Sequence, residues 1–362
     1  MAIATLIRVG LCDDAATVSM GTAGDAWLLA AGDQKVALTA HQPYQVRWDA
    51  DGQLSLVTND GSSERLPSPV RLVTTGPIFV AKRWYRGSLE LLATAGGITA
   101  INEVPLEEYL LGVVPVEMPP SWPSEALKAQ AVAARTYAMA HLGDFKASGY
   151  DLKPTVKSQV YGGLTAENAS ATLAVTATVG KILTYDGKPI QAYYCAGAGG
   201  YTEGAEAITG FEQRTASLRP GSYPYLQPVP DFDWAAPRWR WEVFLTSEQI
   251  AQKLERQGLE LGRITRITAT ERSYSQRVRW IKVTGDKGER EMPGQTFRFA
   301  LGLYSTLFSI EAVPNRGFHF VGRGWGHGVG LSQWGAKQLA NWGYDYQEIL
   351  VHYYPGAELT NH

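Results

Sequence analysis

The sequence contains little cysteine, almost no net charge and no long apolar run. Its 362 residues include two cysteines, Cys12 and Cys195, which are too few for a disulfide framework or a cysteine-rich zinc site. We expect both to be small buried hydrophobic side chains, with one long-range disulfide as the alternative. The formal net charge of −2 argues against overall electrostatic steering towards nucleic acid or an anionic membrane.

Segments for membrane crossing or export are also missing. No apolar run approaches the ~20 residues that span a bilayer. The first ten residues resemble a strand and lack a basic region followed by an apolar one. We therefore expect either a cytosolic protein or one whose export signal lies outside this sequence. With 45% hydrophobic and 19% charged residues, the composition predicts a folded chain of two or three domains.

Nucleotide-binding patterns are absent from the most glycine-rich part of the chain. Glycine occupies every second position from Gly322 to Gly330, a segment we call the glycine run. It fits neither G-x-G-x-x-G nor a P-loop, and His327 has no second histidine at helical spacing, so we predict no metal site. The run predicts an unusual exposed backbone that presents Arg323, Trp325 and His327. His327 is either a hydrogen-bonded structural residue or a cleft residue, and the glycines favour the cleft.

The most informative stretch that is present surrounds Glu117. Prolines restrict the backbone after this residue, and its neighbours are apolar, namely Val114, Val116, Met118 and Trp122. Burial among such side chains favours the neutral acid and raises the pKa of a carboxyl group. A carboxylic acid that stays protonated near neutral pH can donate its proton to a leaving group. The sequence therefore indicates Glu117 as a general acid.

An alanine-rich segment follows, and it predicts a buried helix that begins near Glu125. Ser121 or Ser124 is expected to cap this helix, with Pro123 in its first turn. Small side chains on several of its faces indicate close packing on more than one side.

Two cations interrupt this helix. Lys128 and Arg135 lie seven residues apart, so they project from one face. That face is either a solvated edge or one wall of a polar cleft. Burial of the helix favours the cleft, and Glu117 would then line the same cleft.

The pattern of elements predicts an α+β fold with a mixed core around the buried helix. We expect an N-terminal β-rich module at residues 1–75, a core at 76–239 with 311–362, and an inserted α+β subdomain at 240–310. Residues 196–202 form a glycine-dense loop, which either admits a ligand close to the backbone or only reverses the chain. Further helices are expected at Pro105–Gly112, Glu167–Val179, Thr246 or Ser247 to Glu255, Ser332 to about Asn341, and Tyr346–Tyr354.

Five stretches form an ordered set: Glu117-Met-Pro, Glu125 to Tyr137, Gln159-Val-Tyr-Gly, Gly199-Gly-Tyr-Thr and Gly322 to Ala336. In this order they resemble the stage II sporulation protein D family, also called SpoIID/LytB or amidase enhancer, over about residues 76–356. The resemblance implies a bacterial cell-envelope protein that acts on peptidoglycan. It also implies lytic transglycosylase activity, which cuts between N-acetylmuramic acid and N-acetylglucosamine in strands stripped of stem peptides and leaves a 1,6-anhydro end.

The resemblance also implies roles for individual residues. Glu117 matches the catalytic acid/base of the family, and Arg135 matches an arginine tied to the same site. Substrate contacts are predicted for other residues of these five stretches: Lys128, Gln159, Tyr161, Gly199, Gly200, Tyr201, Arg323, Trp325, His327 and Gln333. Some family members bind zinc through cysteine and histidine before the Gln-x-Tyr motif. Residues 151–158 of this chain contain neither, so we predict no zinc and no other cofactor.

A single carboxylate suits lytic cleavage, because the substrate's own C6 hydroxyl replaces water as the nucleophile. Lys128 and Arg135 are predicted to hold the lactyl carboxylate of muramic acid. The main alternative is a non-catalytic glycan-binding protein that stimulates a cell-wall amidase. A hydrolase with two carboxylates is a third possibility, with Glu203 or Glu206 as the second acid.

The predicted partners and location follow from the same resemblance. They are peptidoglycan glycan strands and a cell-wall amidase, with no nucleic acid, and with membrane contact only through a signal or anchor outside this sequence. The expected location is the cell envelope, periplasmic or extracellular.

Overall fold

A computed structural model of the protein describes residues 5–49, 51–58, 61–205 and 223–362. The chain divides into two compact units, Met1–Ile182 with Asn361–His362, and Leu183–Thr360. Each unit contains helices and strands, so the predicted mixed α+β fold is confirmed. In the described part of the chain, none of the helices has the length and apolar character needed to cross a bilayer.

The first unit begins with two antiparallel sheets of six strands each. The strands are β1 (Leu6–Ala15), β2 (Thr17–Thr22), β3 (Ala26–Ala30), β4 (Lys35–Leu38), β5 (Tyr44–Trp48), β6 (Leu54–Val57), β7 (Ser63–Leu66), β8 (Val70–Thr74), β9 (Ile78–Val80), β10 (Arg83–Tyr85), β11 (Ser88–Ala93) and β12 (Ile98–Pro105). One sheet has the order β1-β12-β11-β8-β3-β4, and the other β10-β9-β2-β5-β6-β7. Alternating apolar residues of these strands are buried, as at Leu89 and Leu91 of β11.

The helices of the first unit follow directly on β12. They are α1 (Leu106–Glu117), α2 (Ser124–Ala140) and α3 (Ala169–Ala177). The predicted end of α1 at Gly112 is wrong, because the helix continues through Pro115 to Glu117. Gly112 instead lets the backbone at Gly163 approach closely, since an added Cβ would lie 2.9 Å from the Gly163 carbonyl oxygen.

The alanine-rich helix α2 is buried, as the sequence predicts. Twelve of its 17 residues are buried. The expected serine cap is absent, because Pro123 is the N-cap residue and no side chain caps the helix. α3 is shorter than predicted. It is capped by Asn168, and it buries Ala171, Ala174 and Val175.

The second unit consists of smaller sheets and four helices among the described residues. Its strands are β13 (Lys181–Tyr185, which begins in the first unit), β14 (Lys188–Pro189), β15 (Tyr194–Cys195), β16 (Arg240–Thr246), β17 (Ile264–Arg272), β18 (Val278–Gly285), β19 (Gly288–Pro293), β20 (Phe308–Val313), β21 (Gly317–Arg323), β22 (Leu331–Ser332) and β23 (Glu358–Asn361). The helices are α4 (Ser247–Glu255), α5 (Gly294–Leu301), α6 (Gln333–Asn341) and α7 (Tyr346–Tyr353).

Two three-stranded sheets, β16-β21-β20 and β17-β18-β19, share a hydrophobic core with α4 and α5. The local capping predictions hold in this unit. Thr246 caps α4 in a capping box with Gln249, and the Ser332 side chain accepts the Gly335 N–H at the start of α6. Both cysteines are free thiols rather than a disulfide. Cys12 is only half-buried, whereas Cys195 is buried, and burial raises the pKa of Cys195 to about 12.

Candidate functional site

Glu117 is the last residue of α1, and its side chain is half-buried. Met118 leaves the helix in an extended conformation, and its N–H donates to the Val114 carbonyl at 3.0 Å. Of the predicted apolar neighbours, Val114 and Met118 are fully buried, whereas Val116 is 41% exposed. The carboxylate therefore lies at the edge of an apolar core rather than inside it.

The Glu117 carboxylate is hydrogen-bonded to the main chain. The Val160 N–H donates to Oε1 of Glu117 at 2.8 Å. A hydrogen bond of this kind favours the anion, whereas the carbonyl end of a helix disfavours negative charge. The carboxylate is thus hydrogen-bonded to the main chain at the carbonyl end of a helix.

Gln159, the residue before Val160, is anchored inside the first unit. Its side chain is fully buried, accepts the Tyr109 hydroxyl at 3.2 Å and donates to the Ala134 carbonyl at 3.2 Å. Burial raises the pKa of Tyr109 well above its ordinary value, so this hydroxyl remains a donor. Gln159 therefore holds the backbone that orients Glu117. The Gln159 side chain has no accessible surface for the predicted substrate contact.

Tyr161, the residue after Val160, is anchored in the same way. It is 1% exposed, its hydroxyl donates to Asn102 at 3.0 Å, and its ring centroid lies 4.8 Å from that of Tyr109. The side chain of Tyr161 therefore has almost no accessible surface for the predicted substrate contact. Together the two anchors explain the Gln-Val-Tyr motif, because they hold the one amide between them against the carboxylate.

Arg135 lies inside the first unit and not on a cleft wall. Its side chain is 0% exposed, and Nε and Nη2 donate to the two carboxylate oxygens of Glu107, each at 2.7 Å. The guanidinium also donates to the carbonyls of Lys181 and Val175. The cleft prediction for this face fails at Arg135, because a buried guanidinium needs internal partners and finds them.

Lys128 is the accessible member of the pair. Its side chain is 27% exposed, and Nζ lies 2.6 Å from the Glu125 carboxylate in the first turn of α2. Of the two cations predicted to hold a lactyl carboxylate together, only Lys128 is accessible, because Arg135 is buried.

The zinc question can be tested on residues 151–158. This loop has no cysteine or histidine, and its one carboxylate, Asp151, accepts backbone N–H groups from Arg8 and Gly143, each at 2.9 Å. A zinc site needs three or four protein ligands, and this loop has a single carboxylate whose two oxygens already accept backbone N–H groups. The residues present do not fit a zinc ion.

In the second unit, the glycine-dense loop at residues 196–202 is held by two carboxylates that the sequence analysis does not single out. Asp233 accepts the N–H groups of Gly199 and Gly200 at 2.8 and 3.0 Å, and Asp231 accepts the N–H before them. Burial and the neighbouring Asp231 carboxylate raise the pKa of Asp233 above its ordinary value. The two glycine amides are thus occupied internally. The Asp-x-Asp spacing in a proline-rich and aromatic stretch is the sequence feature that could have indicated this role.

The glycine run packs against the same loop and over Arg277. Trp325 and Gly197 exchange backbone hydrogen bonds at 2.8 and 3.0 Å. Arg277 is 1% exposed and donates to the Ala198 carbonyl, and an added Cβ at Gly328 would overlap its guanidinium. The glycines of the run from Gly324 onward have positive φ. The run is therefore shaped by close packing as well as by backbone conformation.

His327 is hydrogen-bonded at both ring nitrogens. Nδ1 accepts the Val329 N–H and Nε2 donates to the Tyr194 carbonyl, each at 3.0 Å. Burial, with the positive charges of Arg298 and Arg277, lowers the pKa of His327 to about 3. Of the two alternatives for this residue, the structure supports the hydrogen-bonded structural histidine, neutral at physiological pH.

Three of the other predicted contact residues of the second unit are accessible, and one is buried. Trp325 is 47% exposed, Tyr201 is 39% exposed, and Arg323 is exposed at the end of β21. Gln333 is buried in the first turn of α6. The accessible residues that could meet a ligand are thus Trp325, Tyr201 and Arg323.

Glu203 does not resemble a second catalytic acid. It is fully buried, and it accepts the hydroxyls of Ser273 and Ser275 as well as the Gly204 N–H. A carboxylate with these internal partners is not available to activate water. Glu206, the other candidate, lies outside the described residues.

Sequence comparison places this chain among named proteins. Residues 94–185 match the family described as Stage II sporulation protein, and residues 220–330 match a domain of unknown function. The chain is 36% identical over 279 residues to Stage II sporulation protein D of Bacillus amyloliquefaciens, covering 72% of this chain and 76% of that protein. It is 31% identical over 278 residues to Stage II sporulation protein D of Bacillus subtilis (strain 168), with the same coverage. It is also 29% identical over 304 residues to Amidase enhancer of Bacillus subtilis (strain 168), covering 70% of this chain and 40% of that protein.

Proposed function

Since this chain belongs to the stage II sporulation protein D family, we propose that it acts on the bacterial cell wall as a lytic transglycosylase. Its substrate is the peptidoglycan glycan strand freed of stem peptides. Glu117 is the single acid and base of the reaction.

The reaction needs one proton carrier. Protonated Glu117 gives its proton to the oxygen that links C1 of N-acetylmuramic acid to the next sugar, and the C1–O bond breaks through an oxocarbenium-like state. The C6 hydroxyl of the same muramic acid then bonds to C1, and its proton passes to the Glu117 carboxylate. The products are a 1,6-anhydro end and a free hydroxyl on the departing strand. Water is neither consumed nor released.

The fixed carboxylate of Glu117 is the observation that carries this proposal. It is half-buried at the end of α1, and the Val160 amide sets its orientation at 2.8 Å. A proton carrier is effective when its direction is set before the substrate arrives. The Glu203 carboxylate already accepts hydrogen bonds from groups inside the protein, and this favours a one-carboxylate mechanism over a hydrolase with two carboxylates.

A non-catalytic role is the second candidate, and similarity to the protein named Amidase enhancer favours it. In this reading the chain binds glycan strands and stimulates a cell-wall amidase. The exposed Trp325 suits sugar stacking in either reading, so it does not separate them.

Incubation with denuded glycan strands, followed by mass spectrometry of the new chain ends, separates these functions. We expect anhydro ends from the wild type and a loss of about 10²- to 10⁴-fold in Glu117→Gln. Glu64→Gln, which changes an exposed glutamate of β7, is the control and should keep full activity. Binding without new ends would support the enhancer, and new reducing ends would establish a hydrolase.

A further inference from the structure

The second unit contains a groove at one end of the sheet β16-β21-β20. It has a volume of about 510 Å³, within the range of ligand sites. We call it the basic groove. Its polar and aromatic lining consists of Trp239, Arg240, Arg272, Gln276, Ser309 and Arg323.

The charge of the basic groove is unbalanced. Arg240 of β16 lies directly opposite Arg323 of β21 in the strand register. Like charges at directly opposed positions repel each other and destabilise a sheet. Among the described residues, no carboxylate lies within ion-pair distance of these two guanidinium groups or of Arg272. The lining contains no acid, so an anion between the arginines would relieve the repulsion.

Arg272 is held in place at the wall of the groove. Its Nη1 donates to the Gln276 carbonyl at 2.7 Å and its Nη2 to the Phe308 carbonyl at 3.0 Å. These bonds direct the charge without neutralising it, because both acceptors are uncharged. A preset guanidinium of this kind costs little ordering when a ligand binds.

An aromatic ring completes the groove beside the arginines. The Arg323 guanidinium lies 5.6 Å from the ring centroid of Trp239. That ring packs against Gly200, where an added Cβ would lie 2.9 Å from it. Gly200 therefore has a second use besides its hydrogen bond to Asp233. The loop glycine makes room for the ring. Aromatic faces next to guanidinium groups suit anionic sugars, which offer a flat apolar side and a charge.

We propose that the basic groove binds the carboxylates of an anionic glycan strand, the lactyl groups of denuded peptidoglycan. The identity of this strand rests on the proposed function, whereas the preference for an anionic sugar rests on the groove itself. Its arginines offer a contact to a carboxylate that the buried Arg135 cannot make. Nucleic acid is a poorer fit, because the net charge of −2 gives no wider positive field around three local arginines.

The test measures binding with the Glu117→Gln protein, so that the strand is not consumed. The dissociation constant for denuded strands is compared with that for chitin oligosaccharides, which have similar sugars but no carboxylate. Adding Arg240→Gln with Arg323→Gln should weaken binding to denuded strands at least about tenfold and leave the chitin affinity unchanged. The matched control is Arg266→Gln with Arg290→Gln, two exposed arginines of the same unit, and it should stay within about twofold.

Three outcomes would overturn the proposal. One is equal affinity of the groove variant and its control, with both shown to be folded by circular dichroism. Another is equal binding of carboxylated and neutral strands, and the third is tighter binding of inorganic polyphosphate than of denuded strands. Restored binding in Arg240→Lys with Arg323→Lys would support a role for charge. Because cleavage is scored separately by anhydro ends, loss of either property leaves the other measurable.

Discussion

At the residue scale, Arg135 differs most from its expected role. A cation on a helix face predicts a ligand contact, yet this guanidinium is wholly buried and pairs with both carboxylate oxygens of Glu107. Arg135→Ala should therefore lower the free energy of unfolding by about 3 kcal/mol, because Glu107 and two carbonyls lose their donor. Lys128→Ala should cost less than about 1 kcal/mol, because its pair with Glu125 is partly exposed.

Denaturant unfolding of the two variants checks this prediction, with glycan cleavage measured on the folded fraction. If Arg135→Ala kept the free energy of unfolding of the wild type but lost glycan cleavage, Arg135 would be a functional residue and its structural role would be contradicted.

His327 gives the molecule a pH dependence of known sign. Its folded pKa is lowered to about 3 from an ordinary 6.5, so the unfolded chain takes up a proton first as the pH falls. The stabilisation is complete above about pH 6.5 and is lost progressively towards pH 3. Between pH 7 and pH 5 the loss from this residue should be about 1–2 kcal/mol, allowing for the partial accessibility of the ring.

Chemical denaturation at pH 7 and pH 5 measures that loss. His327→Asn should remove this part of the pH dependence, whereas His41→Asn, at an exposed position with φ 61°, should retain it. Equal pH slopes for wild type and His327→Asn would show that the imidazole takes up its proton normally in the folded state.

The motifs could be recognised in the sequence, but the sequence could not show whether their side chains point into the core or towards solvent. Gln159 and Tyr161 belong to a motif next to Glu117, and the sequence predicts contact with substrate. The structure turns both side chains inward and leaves the useful group, an amide, between them. Periodicity cannot settle such a case, because the motif lies outside regular helix and strand.

At the element scale, the glycine run depends on space as much as on φ. At Gly330 φ is 69°, and an added Cβ would overlap the carbonyl oxygen of Tyr193. Gly330→Ala should therefore cost at least about 3 kcal/mol of unfolding free energy, because rigid backbone has to move. Gly343→Ala, at φ 93° in open space, should cost only about 1–2 kcal/mol.

Thermal unfolding of the two alanine variants measures the difference. Gly343→Ala introduces only backbone strain at positive φ, whereas Gly330→Ala adds a steric overlap with Tyr193. Equal losses would mean that the run has room to move, and the close approach to Tyr193 would then carry no structural weight.

Helix ends show which parts of the fold the sequence could predict. The caps at Thr246 and Ser332 were predictable, because a cap is a contact between residues three positions apart. The course of α1 was not. Gly112 and Pro115 are local stop signals, but α1 continues through both, and Gly112 packs closely against a distant glycine. Tertiary packing therefore overrides local preference where two backbones meet.

At the scale of the whole molecule, the predicted site residues fall in both compact units. Glu117 belongs to the first unit, whereas the glycine run and the basic groove belong to the second. The sequence indicated Glu117 and the run because each forms a compact pattern of its own. Asp233 and Arg277 were missed because their partners lie 33 and 79 residues away, a separation that no short motif spans.

The group that aims Glu117 belongs to the peptide bond of residue 160. Every amino acid except proline has a backbone N–H that could take its place. The identity of the side chain at position 160 therefore says little about the importance of this hydrogen bond. Ordinary side-chain substitutions do not test this hydrogen bond, because they leave the backbone N–H in place. Introducing the α-hydroxy acid analogue of valine at position 160 replaces the amide by an ester. This change removes the N–H donor and keeps the valine side chain.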